Sequence, residues 1–230
     1  MKLAVRIQHV ESRPHWVKVL DQLIDHRAQI ISNGSCWDTA KKCLQSVEPD
    51  DTHVLVLQDD VIPCQDFIAT VEKIVTMMPD EAITFFTYNR HVPDAMKQGW
   101  NWLRMRLWFM AQAYVFPVPM ANDIISWSEA NVKPEVVADD ERYAMYFVTH
   151  NRYVYATAPS LVEHLGWNNS SLNRYSDHHA FEAKRRTASR FIGFEESGLS
   201  IDWSRWKGCP IDDHYQGGMF TQWFINPPTK

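Results

Sequence analysis

Two groups of acids stand where carboxylates could do chemistry. The run His53-Val54-Leu55-Val56-Leu57-Gln58-Asp59-Asp60-Val61-Ile62-Pro63 carries four apolar residues straight into an acid pair. Such a β-branched run reads as a strand buried on both faces. Ligands bind at the carboxyl ends of strands in an open α/β sheet, and hard oxygen donors there suit a divalent cation holding a diphosphate. The same pair could instead cap the helix that follows, a role Asp often fills. Further on, Asp139-Asp140-Glu141 introduces a helical pattern from Arg142 to His150, and acids in a first turn complement the helix dipole. Lys184-Arg185-Arg186 with Arg190 makes a basic cluster that could meet phosphates or simply face solvent.

An alternation of strands and helices must position these groups. Residues 2 to 8 read as a strand, and Pro14 to Ile24 as a helix with Pro in its first turn. Residues 28 to 32 give a short strand closed by Asn33-Gly34, then a helix runs from Trp37 to Val47. The strand at His53 to Leu57 is followed by a helix at Phe67 to Val75 and a strand at Ala82 to Tyr88. Strands separated by helices of crossover length imply a parallel sheet with right-handed connections. The polar, aromatic loop through His91, Gly99 and Trp100 has the length and Trp content of a mobile flap. Beyond it come a strand within Phe109 to Val118, a helix over Pro119 to Ser128 and a strand at Tyr153 to Thr157; the tail from Tyr175 yields one helix near residues 178 to 190.

At 230 residues the chain suits one sizeable domain with an appendage. Ten Trp against eight Gly is unusual; such rings stack on sugars or bases, or equally fill a core. A net charge of −5 argues against coating nucleic acid by bulk electrostatics. No apolar stretch approaches a membrane span. The N-terminus enters strand-like sequence without a signal core, so the expected location is the cytoplasm. Cys36 and Cys43 fall a heptad apart on one helix, beyond disulfide reach, and with Cys64 and Cys209 read as reduced thiols.

Four segments, taken in order, carry a family resemblance: Leu57-Gln58-Asp59-Asp60-Val61, Ala111-Gln112-Ala113-Tyr114-Val115, Asp139-Asp140, and Pro159-Ser160-Leu161-Val162-Glu163-His164-Leu165-Gly166. Together they resemble the GT-A glycosyltransferases, which use nucleotide-sugar donors, and look like uncharacterised phage and bacterial members. The last segment is similar to a Ser-Leu-x-x-His-x-Gly stretch of N-acetylglucosaminyltransferases that branch N-glycans. The resemblance spans residues 2 to 175. It implies an α/β, Rossmann-like GT-A domain over 1–175, with a mostly parallel central sheet flanked by helices. Residues 176–230 would form an aromatic and basic extension on or beside the acceptor side. One departure stands out: Gln58 occupies the first position of the metal motif, where the family has an acid, so Asp59 and Asp60 alone supply carboxylates there.

By this resemblance Asp60 is the direct ligand of Mn²⁺ or Mg²⁺, Asp59 supports it through ribose or a metal-bound water, and His164 is a second ligand. Asp140, with Asp139 close behind, stands at the place of the base that deprotonates the acceptor in an inverting transfer. Gln8, His9, Arg13, Asn33, Gly34, Asp38, Gln58 and Asp59 would surround the nucleotide, and Gln112, Tyr114 and Trp100 the sugar or acceptor. The implied reaction moves a sugar from a UDP-type donor to a hydroxyl acceptor, and no obligatory protein partner is expected. A hydroxymethylated base in phage DNA is one acceptor, with Lys184, Arg185, Arg186 and Arg190 as its contacts; glycan, lipid-linked and protein acceptors are the others. A nucleotidyltransferase would require a Gly-rich basic loop after the first strand, which Val10-Glu11-Ser12-Arg13-Pro14 is not. In a non-catalytic sugar- or nucleic-acid-binding module, Asp59 and Asp60 would be structural.

Overall fold

The computed structural model describes residues 1–11, 14–164, 187–212 and 223–225. It is an α/β protein built on a large mixed sheet flanked by helices. In chain order the elements are β1 (Leu3–Gln8), α1 (Pro14–Leu23), β2 (Gln29–Ile31), α2 (Cys36–Gln45), β3 (His53–Gln58), β4 (Val61–Pro63), α3 (Phe67–Met77) and β5 (Ala82–Thr84). They continue as α4 (Val92–Lys97), β6 (Trp102–Met105), β7 (Ala113–Pro117), α5 (Val118–Asn131), α6 (Asp139–Thr149), β8 (Val154–Thr157), β9 (Val162–His164) and β10 (Ile211–Asp212).

The eight-stranded sheet has the order β10-β6-β8-β5-β7-β3-β1-β2. Four of its seven pairings are parallel: β1 with β2, β1 with β3, β5 with β8, and β10 with β6. The other three are antiparallel and place β7 between β3 and β5 and β6 beside β8. The first three strands form the parallel unit that their spacing predicts, with β1 central and α1 and α2 as crossovers. β1 and β3 are almost wholly buried, as expected of strands covered on both faces. Because β5 and β8 run with them, Gln8, Ile31, Gln58, Thr84 and Thr157 all end at one edge of the sheet. That edge collects the acid pair after β3 and the candidates that follow β1 and β2.

A separate two-stranded sheet pairs β4 with β9, opposing Val61 to His164, Ile62 to Glu163 and Pro63 to Val162. No apolar periodicity announces strands this short.

Several expectations change. The flap expected through His91 and Trp100 holds α4, with Pro93 in its first turn, and leads into β6, whose Trp102 is fully buried. Burial of large rings outweighs the polar character of the flanking residues, so this segment is a helix and an inner strand rather than a flap. The strand expected to reach Tyr88 ends at Thr84, where the Thr84 hydroxyl donates to the Phe86 carbonyl at 2.9 Å and breaks the extended pattern. Most of the helix expected near 178–190 lies outside the described residues, and 187–190 are not helical.

Four of the described tryptophans serve the core. Trp102, Trp108 and Trp203 are fully buried, and Trp37 nearly so. Trp203 donates from Nε1 to the Gly198 carbonyl and accepts at its own carbonyl from Trp102 Nε1, both at 2.9 Å. Residues 187–212 thus pack into the main fold, with β10 as its edge strand. Cys36, Cys43, Cys64 and Cys209 form no disulfide. Among the described residues no helix is long and apolar enough to cross a membrane.

Candidate active site

The acid pair after β3 divides its labour. Asp59 is buried, and its Oδ2 accepts from the Val10 amide and from His9 Nδ1, each at 2.8 Å. Asp59 therefore holds the chain leaving β1. Its amide in turn donates to the Gln8 carbonyl at 3.1 Å. Asp60 points the other way: its Oδ2 lies 3.3 Å from Nε2 of His164, and both side chains are about 5% exposed or less. The pairing of β4 with β9 makes this contact, because it sets His164 opposite the residue that follows Asp60. Phe86 packs edge-on against the imidazole at 5.9 Å, and Glu163 Oε1 accepts from the amides of His164 and Ala188.

Among the described residues no cluster of three or more His, Cys, Asp or Glu side chains could hold a metal ion. The two-donor set of Asp60 and His164 nevertheless fits Mn²⁺ or Mg²⁺ when a substrate supplies the remaining oxygens, since such ions commonly take few protein ligands and complete their shell with phosphate and water. Donors that are neighbours on an octahedral ion with bonds of about 2.1 Å lie roughly 3 Å apart, close to the 3.3 Å between Oδ2 and Nε2.

The second acid pair opens α6. Asp140 is half-buried and its Oδ1 accepts from the Glu141 amide at 2.9 Å. Asp139 is buried, and its Oδ1 accepts from the Cys36 thiol and the Asp140 amide, both at 3.0 Å. Burial raises the Asp139 carboxyl above its ordinary pKa and raises the Cys36 thiol well above its own, so Cys36 stays a donor. Hydrogen bonds from the Cys36 thiol and the Asp140 amide oppose that rise at Asp139 without cancelling it. Among the described residues no cation pairs with Asp139. The more accessible Asp140 is the better placed to meet a substrate.

Arg142, also buried, fixes this helix start. Its Nε donates to the Val136 carbonyl at 2.7 Å, Nη2 to that of Lys133 at 3.1 Å and Nη1 to that of Ser128 at 3.3 Å, while its guanidinium lies 4.8 Å from the Trp37 ring centre. Burial lowers its pKa. The Trp37 amide donates to the Val137 carbonyl at 2.9 Å and ties α2 to the entry of α6.

The expected nucleotide residues gather on the same edge. Gln8 and Gln58 are register partners at the ends of β1 and β3. Asn33 and Gly34 are exposed after β2, with Gly34 at φ +72°, and the Asn33 amide donates to Thr39 Oγ1 at 3.1 Å. Asp38 belongs to the cap of α2: its amide donates to Ser35 Oγ at 3.1 Å and its Oδ2 accepts from the Ser35 hydroxyl at 2.7 Å. Arg13 lies outside the described residues.

The sugar and acceptor candidates do not converge. The Gln112 carbonyl accepts from the Gln58 amide at 2.8 Å, which places Gln112 beside the acid pair. Tyr114 is a core residue: it is fully buried among Trp108, Phe116 and Tyr143, and its hydroxyl lies 2.6 Å from that of Tyr143. Every residue of β7 is buried, so Tyr114 meets no surface a sugar could reach. Trp100 sits at the far side of the sheet under Arg205, 5.0 Å from its guanidinium. Arg190 is exposed and its carbonyl accepts from the Ser160 amide at 2.8 Å, whereas Lys184, Arg185 and Arg186 lie outside the described residues.

Sequence reasoning missed three features of this site: Asp59 joined to His9, Cys36 and Gln8 gathered around Asp139, and the Arg142 clamp. The acids leave a signal because they interrupt apolar runs, but nothing local marks their partners. The sequence matches no protein-family model and no curated protein.

Proposed function

We propose that the chain is a metal-dependent glycosyltransferase of GT-A type, moving a sugar from a UDP-type nucleotide sugar to a hydroxyl acceptor with inversion. The observation that carries this reading is the meeting of Asp60 with His164, potential donors from two segments of the family resemblance that lie 3.3 Å apart beyond the carboxyl end of β3. Asp60 and His164 would hold Mn²⁺ or Mg²⁺, which when bound neutralises the diphosphate and makes it a competent leaving group. Asp59, engaged with His9 and Val10, positions the strand end rather than serving as a ligand. Asp140 takes the proton of the acceptor hydroxyl as its oxygen attacks the anomeric carbon; the sugar–phosphate bond breaks and the nucleoside diphosphate leaves with the electron pair. Gln8, His9, Asn33 and Gly34, at the ends of β1 and β2, border the place for the nucleotide.

Thermal-shift screening of nucleotide sugars with and without Mn²⁺ tests the reading. A Mn²⁺-dependent rise with one donor class, lost in Asp60→Ala and His164→Ala, is the expected result; equal shifts in both variants would sink it. Asp140→Asn should retain donor binding and lose transfer. The acceptor class follows from product analysis, with hydroxymethylated duplex DNA run beside glycan acceptors. Failure to bind that duplex at low salt removes DNA from consideration.

A further inference from the structure

The geometry points to a second ligand site, a cleft at the amino ends of β5 and β8 that binds a free amino acid. In it the ligand's ammonium faces Asp80 and Glu81, and its carboxylate faces Arg152, Tyr153 and Tyr155. Asp80 and Glu81 precede β5, Arg152 and Tyr153 precede β8, and Ala82 pairs with Val154 in parallel. Asp59 and Asp60 instead follow the carboxyl end of β3, so the cleft opens at the other end of the strands. Met120 of α5 supplies its apolar lining. Small-molecule sites run from roughly 300 to 1,000 Å³, so a cleft of about 320 Å³ takes a ligand of few heavy atoms.

Opposite charges line this cleft without meeting. Among the described residues no ion pair or hydrogen bond joins the Arg152 guanidinium to Asp80 or Glu81. Burial, and then the charge of Asp80, raise the Glu81 carboxyl above its ordinary pKa, while Arg152 and Arg104 oppose that rise in part. An ammonium against the two acids relieves their repulsion. The β8 side is arranged to donate. Tyr153 Oη accepts from Arg106 Nη2 at 2.9 Å, which leaves its own proton for an acceptor. The guanidiniums of Arg104 and Arg106 lie 5.5 and 5.2 Å from the centre of the Tyr153 ring and hold it in place. Tyr155 packs edge-on against Trp206 at 5.5 Å, and burial raises its pKa, so its hydroxyl also stays a donor. A neutral polyol would leave three charged groups facing a ligand without charge. A phosphate ester would bring two negative charges to a lining where carboxylates outnumber the guanidinium. One ammonium and one carboxylate on a short frame match both sides.

The test follows the methyl resonance of Met120 by NMR, assigned by its loss in Met120→Leu, while each standard amino acid is titrated into the full chain. Acetate, methylammonium and glucose are titrated alongside, as carboxylate, cation and polyol alone. At least one amino acid should shift the resonance saturably and raise the melting temperature. Acetate, methylammonium and glucose should each bind at least about tenfold more weakly. Arg152→Ala and the double variant Asp80→Asn, Glu81→Gln should each weaken amino-acid binding about tenfold, the worth of one charged hydrogen bond. Asp80 and Arg152 are exposed and Glu81 is half-buried, so these variants keep the fold, which the unliganded Met120 resonance reports. A Met120 resonance that no amino acid shifts overturns the assignment, as does glucose binding as tightly, or either variant binding as wild type does. Neither Mn²⁺ nor a nucleotide sugar takes part, so the result is independent of the donor screen and of the transferase reading.

Discussion

A carboxylate's work depends on which donors reach it. Asp59 and Asp60 are neighbours in the chain, yet Asp59 accepts from a backbone amide and an imidazole of the β1 exit whereas Asp60 meets the imidazole of His164. Asp59→Ala should therefore act on stability, because it leaves the Val10 amide and His9 without their acceptor; a loss of about 1–3 kcal/mol is expected, measured by urea unfolding. Asp60→Asn keeps shape and hydrogen-bonding capacity and should change stability little, while abolishing the Mn²⁺ dependence of nucleotide-sugar binding in titration calorimetry. That these acids stand at a site was legible, because carboxylates closing an apolar strand are conspicuous. Their division of labour was not, since it depends on where residues 9 and 10, and residue 164, arrive in space.

At the scale of elements, the candidate base depends on how α6 begins. Ala138 at its N-cap offers no side-chain cap; Asp139 and Asp140 accept from first-turn amides, and the Arg142 donors to three carbonyls and the Trp37 amide fix the entry. Arg142→Ala should cost about 3–5 kcal/mol, as removal of a buried, fully engaged charged group does, and should weaken transfer more than donor binding if the turn carrying Asp140 loosens. The opposite side of the site turns on the cap of α2. Gly34→Ala meets only ordinary contact, with Asp38 Oδ2 at 3.9 Å, but must adopt φ +72°. It should cost about 1–2 kcal/mol from backbone strain alone, and Ser35→Ala about 1 kcal/mol from the lost cap. Chemical denaturation of each variant measures both. The start of α2 was visible as Asn-Gly-Ser before an amphipathic run. The Arg142 clamp was not, because a charged residue in a helix reads as solvent-facing until the loop that wraps it is known.

For the whole molecule, residues 187–212 are part of the fold rather than an ornament. Trp203 is fully buried and bonded to both Trp102 and Gly198, so Trp203→Ala should cost about 3–5 kcal/mol. A chain ending at residue 175 should fail to give one cooperative thermal transition. Stability should also fall on the acid side through His53. Burial lowers its pKa below the ordinary 6.5, and its Nε2 lies 2.9 Å from the Pro79 carbonyl. A base whose folded pKa is depressed contributes stability that is complete above the unfolded pKa and lost as pH falls below it, because the unfolded chain takes up the proton first. Melting temperature should decline as pH drops below about 6.5, less steeply in His53→Asn.

The sequence by itself determined what local pattern controls: the strand and crossover order of residues 3 to 58, the acids ending β3, and the first turn of α6. Each follows from apolar periodicity and terminal chemistry, which act over a few residues. Only the tertiary structure decided which of these residues touch. The contact between Cys36 and Asp139 spans 103 positions, and that between Asp60 and His164 depends on two three-residue strands with no periodicity of their own. Burial then shifted the groups so joined, raising the Asp139 carboxyl and the Cys36 thiol above their ordinary values, because a charge there is cut off from water.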